Sequence, residues 1–123
     1  LEITLKKESK HIIRGGFIMN IVGISACTSG IAHTYIAKEK LVKVGQELGH
    51  NVRIETQGTI GVEDELTAEE IKNADLVIIA ADIKVSGKER FKDKRVVEIP
   101  TELAIKAPKQ LYKKIEAELH TNK

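Results

Sequence analysis

The chain has 123 residues, 20 Lys and Arg against 18 Asp and Glu, four His, no Trp and a single Cys. One cysteine can form neither an internal disulfide nor a CxxC pair, so a disulfide scaffold, a dithiol exchanger and a cysteine-built zinc site are all disfavoured. The net charge of +2 sits in the first 18 residues, where Lys6, Lys7, Lys10 and Arg14 outnumber Glu2 and Glu8. With two Phe and two Tyr besides, there is little of the basic, aromatic surface of a nucleic-acid-binding domain.

Residues 1–18 read as an extension, linker or tag-like segment ending at Gly15-Gly16, and residues 19–123 as one domain of ordinary size. Ile18 to Ser25 is β-branched and apolar, the pattern of a buried strand. A helix follows from about Ala32 to Leu48, with Ala37, Leu41, Val44 and Leu48 on one face, Glu39 and Lys43 on the other, and Gly49 as its stop. Val52 to Thr56 is a second strand. Thr67 and Glu70 form a capping box, and Leu66 and Ile71 a hydrophobic staple, that start another helix. Leu76 to Ala81 is six apolar residues in a row, a strand covered on both faces and far short of the ~20 residues of a membrane span. Arg95 to Ile99 is a fourth strand, stopped by Pro100, and Pro108 to about His120 a last helix with Leu111, Ile115 and Leu119 along one side. The alternation predicts an α/β fold: a small, doubly wound, Rossmann-like open sheet of four mainly parallel strands with helices on both faces. Binding sites in such sheets lie at the carboxyl ends of the strands.

The first of those ends carries Ser25-Ala26-Cys27-Thr28-Ser29-Gly30-Ile31-Ala32-His33-Thr34. Hydroxyls, a glycine and the open amides of a helix start converge there, an arrangement that holds an anion and stabilises a thiolate. A lone cysteine ending a buried strand is more often a small apolar filler. On residue chemistry alone the nucleophile and the filler stand level. Gln57 and Asp82, at the ends of the second and third strands, are expected near the loop, while His11, His50 and His120 look solvated. No metal-ligand spacing or Walker A pattern is present.

The stretch MNIVGISACTSGIAHT from Met19 to Thr34 resembles the opening of fructose-type IIB components of the bacterial phosphoenolpyruvate-dependent sugar phosphotransferase system, whose loop usually reads Ala-Cys-Pro-Thr-Gly-Ile-Ala-His-Thr. The similarity continues through Glu55-Thr56-Gln57-Gly58, Ala74 to Asp82 and Arg90-Phe91. It departs at Thr28 and Ser29, where Pro and Thr are usual; serine keeps the hydroxyl, and Thr28 adds an amide donor. The resemblance implies a phosphocarrier in which Cys27 takes a phosphoryl group from a phosphohistidine of IIA and passes it to fructose, or a similar sugar, carried by the membrane-embedded IIC. Thr28, Ser29, Gly30, Ile31, Ala32, His33 and Thr34 would bind the phosphate. It also implies no cofactor or metal, no nucleic acid, no direct membrane insertion, and a cytoplasmic location at the inner face of the membrane through IIC. Two alternatives share parts of the pattern. A low-molecular-weight tyrosine phosphatase uses Cys-x5-Arg, but the sixth residue after Cys27 is His33. A flavodoxin-like FMN or phosphate-binding module usually stacks aromatics on its ligand, and only Phe17, Tyr35, Phe91 and Tyr112 are available.

Overall fold

The computed structural model describes residues 12–13, 16–27, 31–58 and 61–121. A short antiparallel pair, β1 (Ile12–Ile13) and β2 (Gly16–Phe17), precedes the main sheet and belongs to no strand of it. The main elements are β3 (Asn20–Ala26), α1 (Ile31–Glu47), β4 (Asn51–Gly58), β5 (Gly61–Glu63), α2 (Ala68–Lys72), β6 (Leu76–Ala81), a 3-10 turn at Lys88–Phe91, β7 (Val96–Ile99), α3 (Thr101–Lys106) and α4 (Pro108–Thr121). The strands run in the order β5-β4-β3-β6-β7. The four long strands are parallel, and β5 is antiparallel to β4 at the edge.

The α/β, Rossmann-like expectation therefore holds, with one strand more than the four expected. Gly61–Glu63 has one apolar residue, Val62, and no alternating pattern long enough to announce a strand. Helix α3 was also unexpected: Pro100 ends β7 and at once serves as the N-cap of α3, so the proline marks a start as well as a stop.

Period-two alternation divides the core into two layers. Ile21 of β3, Ile54 of β4, and Leu76, Ile78 and Ala80 of β6 face α1, α3 and α4, meeting Ala37, Leu41, Ala104, Leu111, Tyr112 and Ile115. Val22, Ile24 and Ala26 of β3, with Val77 and Ile79 of β6, face the other way onto Leu66, Ile71, Ala74 and Phe91. Among the described residues helices cover both faces, but unequally: one face bears three helices, the other α2 and the 3-10 turn. Helix α1 lies close to its neighbours because Gly45 has no side chain; a Cβ there would meet Val52 Cγ2 at 2.5 Å and Tyr112 Oη at 2.8 Å. Tyr112 donates its hydroxyl to the Leu41 carbonyl at 2.7 Å, fastening α4 to α1.

Helix α2 begins as expected. Thr67 Oγ1 accepts from the Glu70 amide (3.1 Å), and Glu70 Oε1 accepts from the Thr67 amide (2.9 Å). Leu66 and Ile71 are buried in one cluster. Arg53 grips the Glu70 carboxylate through Nε (2.7 Å) and Nη2 (3.0 Å); that guanidinium, and after it the Thr67 amide, pull the Glu70 pKa down to about 2.

The expectation that His50 is solvated is wrong. It is 4% exposed; Nδ1 accepts from the Met19 amide at 3.1 Å and Nε2 meets Glu116 at 2.7 Å. The segment after Gly49 looks like a turn in sequence, yet it feeds straight into β4 beneath α4, so the ring closes the base of the sheet. His11 and the side chain of His120 lie outside the described residues.

Candidate active site

Strand β3 ends at Ala26, which lies in register with Gln57 on β4 and Ala81 on β6. The next residue in two of these chains is Cys27 and Asp82, so both emerge at the carboxyl edge of the sheet. The Asp82 amide donates to the Ala26 carbonyl at 3.0 Å, which holds the two exits side by side. Side chains alternate faces along a strand. Residues 27 and 82 continue the parity of Ile21 and Leu76, toward α1 and α3, and Gln57 shares the parity of Glu55, toward the opposite layer.

Contacts follow from that parity. Cys27 is 5% exposed. Its Sγ lies 3.0 Å from His33 Nδ1, in the first turn of α1, and donates to Asp82 Oδ2 at 3.1 Å. Asp82 is held in turn by Thr101, the first residue of α3: the Thr101 amide donates to Oδ1 (3.1 Å) and its hydroxyl to Oδ2 (2.5 Å). The same hydroxyl lies 3.9 Å from Sγ, and Thr101 is fully buried. The Thr101 hydroxyl, the Cys27 thiol, the Thr101 amide and the charge of His33 outweigh burial and hold the Asp82 carboxyl below its ordinary value. Four elements, the ends of β3 and β6 and the starts of α1 and α3, thus meet on one sulfur.

The other residues expected at the phosphate site are distributed as follows. Thr28, Ser29 and Gly30 lie outside the described residues, as does the side chain of Ile31, whose backbone opens α1. Ala32 is exposed in the first helical turn. Thr34 is buried at 4%, and its carbonyl accepts the Ser25 hydroxyl at 2.8 Å, tying the helix start to β3. Gln57 is not brought to Cys27. Its amide grips Ser86 twice, donating to the carbonyl and accepting from the N–H, each at 2.9 Å, and donates also to Glu55.

Glu55 is 1% exposed and explains the second half of the family resemblance in structural terms. Its carboxylate takes Arg90 Nη1 (3.0 Å) and Nη2 (3.1 Å) as a fork and the Leu66 amide at 3.0 Å. Burial pushes its carboxyl up, and the Arg90 guanidinium with the Leu66 and Gln57 amides more than reverses that, leaving it below the ordinary value. The loop between β6 and the 3-10 turn, which begins with Asp82, is therefore fastened from below by Gln57, Glu55 and Arg90.

The absence of metal-ligand spacing in the sequence does not carry over to three dimensions. Among the described residues, Cys27, His33 and Asp82 each present one ligand atom, all within 4.8 Å of one another. Sulfur, imidazole nitrogen and carboxylate oxygen are a donor set suited to zinc. Thr101 was missed by sequence reasoning altogether; a hydroxyl residue directly after a strand-ending proline was its one signal. A cleft of about 350 Å³, lined by Asn20, Val22, Asn51, Val52, Arg53 and Glu70 among others, lies at the opposite, amino-terminal edge of the sheet, remote from this chemistry.

A family model described as "PTS system, Lactose/Cellobiose specific IIB subunit" matches residues 22–114. The chain belongs to the IIB family of the sugar phosphotransferase system. It is 44% identical over 99 residues to "PTS system fructose-like EIIB component 2" of Escherichia coli (strain K12), a match covering 80% of this chain and 93% of that one. It is 43% identical over 94 residues to the "PTS system fructose-specific EIIABC component" of Bacillus subtilis (strain 168), there spanning only 15% of a much longer protein. The solution structure of an Enzyme IIB subunit of the PTS system from Escherichia coli K12 superposes with a TM-score of 0.79 at 34% identity, covering 84% of this chain and 95% of that one. A crystallised domain of a fructose-specific IIABC component from Borrelia burgdorferi gives 0.72 at 45% identity, covering 76% and 89%. This IIB component is thus of the fructose type, as its opening motif suggested, and it is a phosphocarrier, a phosphotransferase rather than a phosphatase or a flavin module. Among its described residues no helix is long and apolar enough to cross a membrane.

Proposed function

We propose that Cys27 is the residue phosphorylated in the relay. Its thiol accepts the phosphoryl group from a phosphohistidine on a IIA protein or domain and passes it to fructose, or a fructose-like sugar, presented by a membrane-embedded IIC component. The observation that carries this reading is the position of Sγ: at the carboxyl end of the central strand, 3.0 Å from His33 and beside the start of α1. In this reading Thr28, Ser29, Gly30, Ile31, Ala32, His33 and Thr34 are the residues that bind the transferred group, with Ser29, Thr34 and His33 as side-chain partners. The chemistry is positioning and charge stabilisation on an already activated donor, so neither a nucleotide nor a metal is required. The unit doing this work is residues 19–123, with residues 1–18 as an extension, and it acts at the inner face of the membrane wherever IIC holds the sugar. Fructose follows from the names of the relatives, fructose-like and fructose-specific; the lactose and cellobiose description of the family model names other sugars, and the choice among them belongs to IIC.

Cys27→Ser tests the proposal. A serine hydroxyl at neutral pH is a far weaker nucleophile than a thiolate, so the variant is expected to take up no phosphoryl group from phospho-IIA while melting at the same temperature. The readout is intact-protein and peptide mass spectrometry after incubation with phosphoenolpyruvate, the general phosphotransferase proteins and a fructose-type IIA. Transfer to the variant at the parent rate, or a phosphoryl group mapped to a histidine, sinks the assignment.

A further inference from the structure

A carboxylate is out of place in a pocket that gathers an anion. Helix starts, hydroxyls and a nearby imidazole all favour a phosphoryl dianion. Asp82 does the reverse, and its placement is built rather than incidental. Both of its oxygens are held by Thr101, a fully buried residue, and the oxygen that takes the Thr101 hydroxyl is the one 3.1 Å from Cys27 Sγ. In the resting protein the thiol proton satisfies that oxygen. Once sulfur carries a phosphoryl group there is no S–H to donate, and the clamped oxygen faces the new negative charge at close range. Like charges at such separation disfavour one another by an amount that matters.

We infer that Asp82 sets the phosphoryl-transfer potential of Cys27: its fixed charge disfavours the phosphocysteine form, so that the group is passed on rather than retained. The inference rests on the reading of Cys27 as the phosphorylated residue. In the step concerned the N–P bond of the donor phosphohistidine breaks, the S–P bond to Cys27 forms, and the proton lost from the thiol ends on the departing imidazole nitrogen. Asp82 acts on the equilibrium of that exchange, with His33, 3.0 Å from the sulfur, as the opposing influence. A relay site needs this balance, because a pocket made only of anion-binding groups would be a trap.

An equilibrium constant separates this role from a kinetic or structural one, since a group that acts only on the barrier cannot move it. The exchange between a fructose-type phospho-IIA and the intact chain is run to equilibrium from both directions and the phosphorylated fractions are read by quench and mass spectrometry. Asp82→Asn is expected to shift the equilibrium toward phosphocysteine about tenfold or more. Thr101→Val, which keeps the backbone amide and the side-chain volume but loosens the clamp, is expected to shift it in the same direction by less, which guards against misfolding of the first variant. An unchanged equilibrium constant in both variants, with or without altered rates, overturns the inference, as does a shift toward phospho-IIA. If the unsubstituted chain takes up no phosphoryl group at Cys27, the carrier reading fails and this one with it.

Discussion

A thiol becomes a useful nucleophile through its surroundings, and the surroundings of Cys27 come from four separate places in the chain. Cys27 itself was readable, because a cysteine followed by hydroxyls, a glycine and a helix start has a chemical meaning without any fold. Asp82 was readable only as a position, the residue after the most apolar strand; that it would touch the sulfur depends on register with β3. Thr101 was not readable, since nothing local says that a threonine after Pro100 will clamp an aspartate 19 positions away. His50 misled, because a histidine after glycine looks like a turn while its burial is decided by α4. Glu55 shows what such distant pairing is worth. Glu55→Gln leaves the Arg90 guanidinium without its carboxylate at a site 1% exposed, and is expected to cost about 3 kcal/mol at neutral pH. The folded-state carboxyl lies below its ordinary 4.5, so the stabilisation is present above that value and is lost as pH falls through the lower, folded one. Urea melts from pH 7 down to 3 are expected to show the gap between parent and variant narrowing only at the acid end; a constant gap contradicts the charge-based account.

Elements were legible where local chemistry and periodicity agreed. β6 runs from Leu76 to Ala81 as read, and the α2 box at Thr67 and Glu70 formed as written. β5 and α3 were not legible for the same physical reason: each is short, carries fewer than two periods, and exists because a neighbour holds it, β4 in one case and the α1 layer in the other. Helix α2 is only five residues long and depends on its start. Thr67→Ala removes the acceptor for the Glu70 amide and is expected to lower global stability by about 1 kcal/mol, measured by denaturant midpoint with the slope unchanged. A loss within error of zero would mean that the Arg53–Glu70 contact alone maintains the helix start.

At the scale of the whole molecule, the sheet divides labour between its two faces. The layer beneath α1, α3 and α4 supplies the groups around the sulfur, and the thinner layer of α2 and the 3-10 turn supplies Glu55, Gln57 and Arg90, which fix the loop that opens with Asp82. The doubly wound class was legible because strands and helices alternate; the inequality of the layers was not, since helix length on each side is set by what the loops leave uncovered. Among the residues whose burial is described, the first core residue is Met19, 1% exposed, and the β1–β2 pair contributes no strand to the main sheet. Deleting residues 1–18 is accordingly expected to change the melting temperature by less than about 3 °C and to leave phosphoryl uptake from phospho-IIA intact. A larger drop, by calorimetry, would mean that the extension is part of the folded unit.

The Gln57 amide and the main chain of Ser86 join through two reciprocal hydrogen bonds, in which a side chain stands where a neighbouring strand would. Such a grip recognises the path of the backbone and is blind to the side chains strung along it. Lys84, exposed between Ile83 and Val85, which pack on the core, can therefore change its chemistry, and with it what the loop shows to a docking protein, while the course of the loop and the aim of Asp82 stay the same.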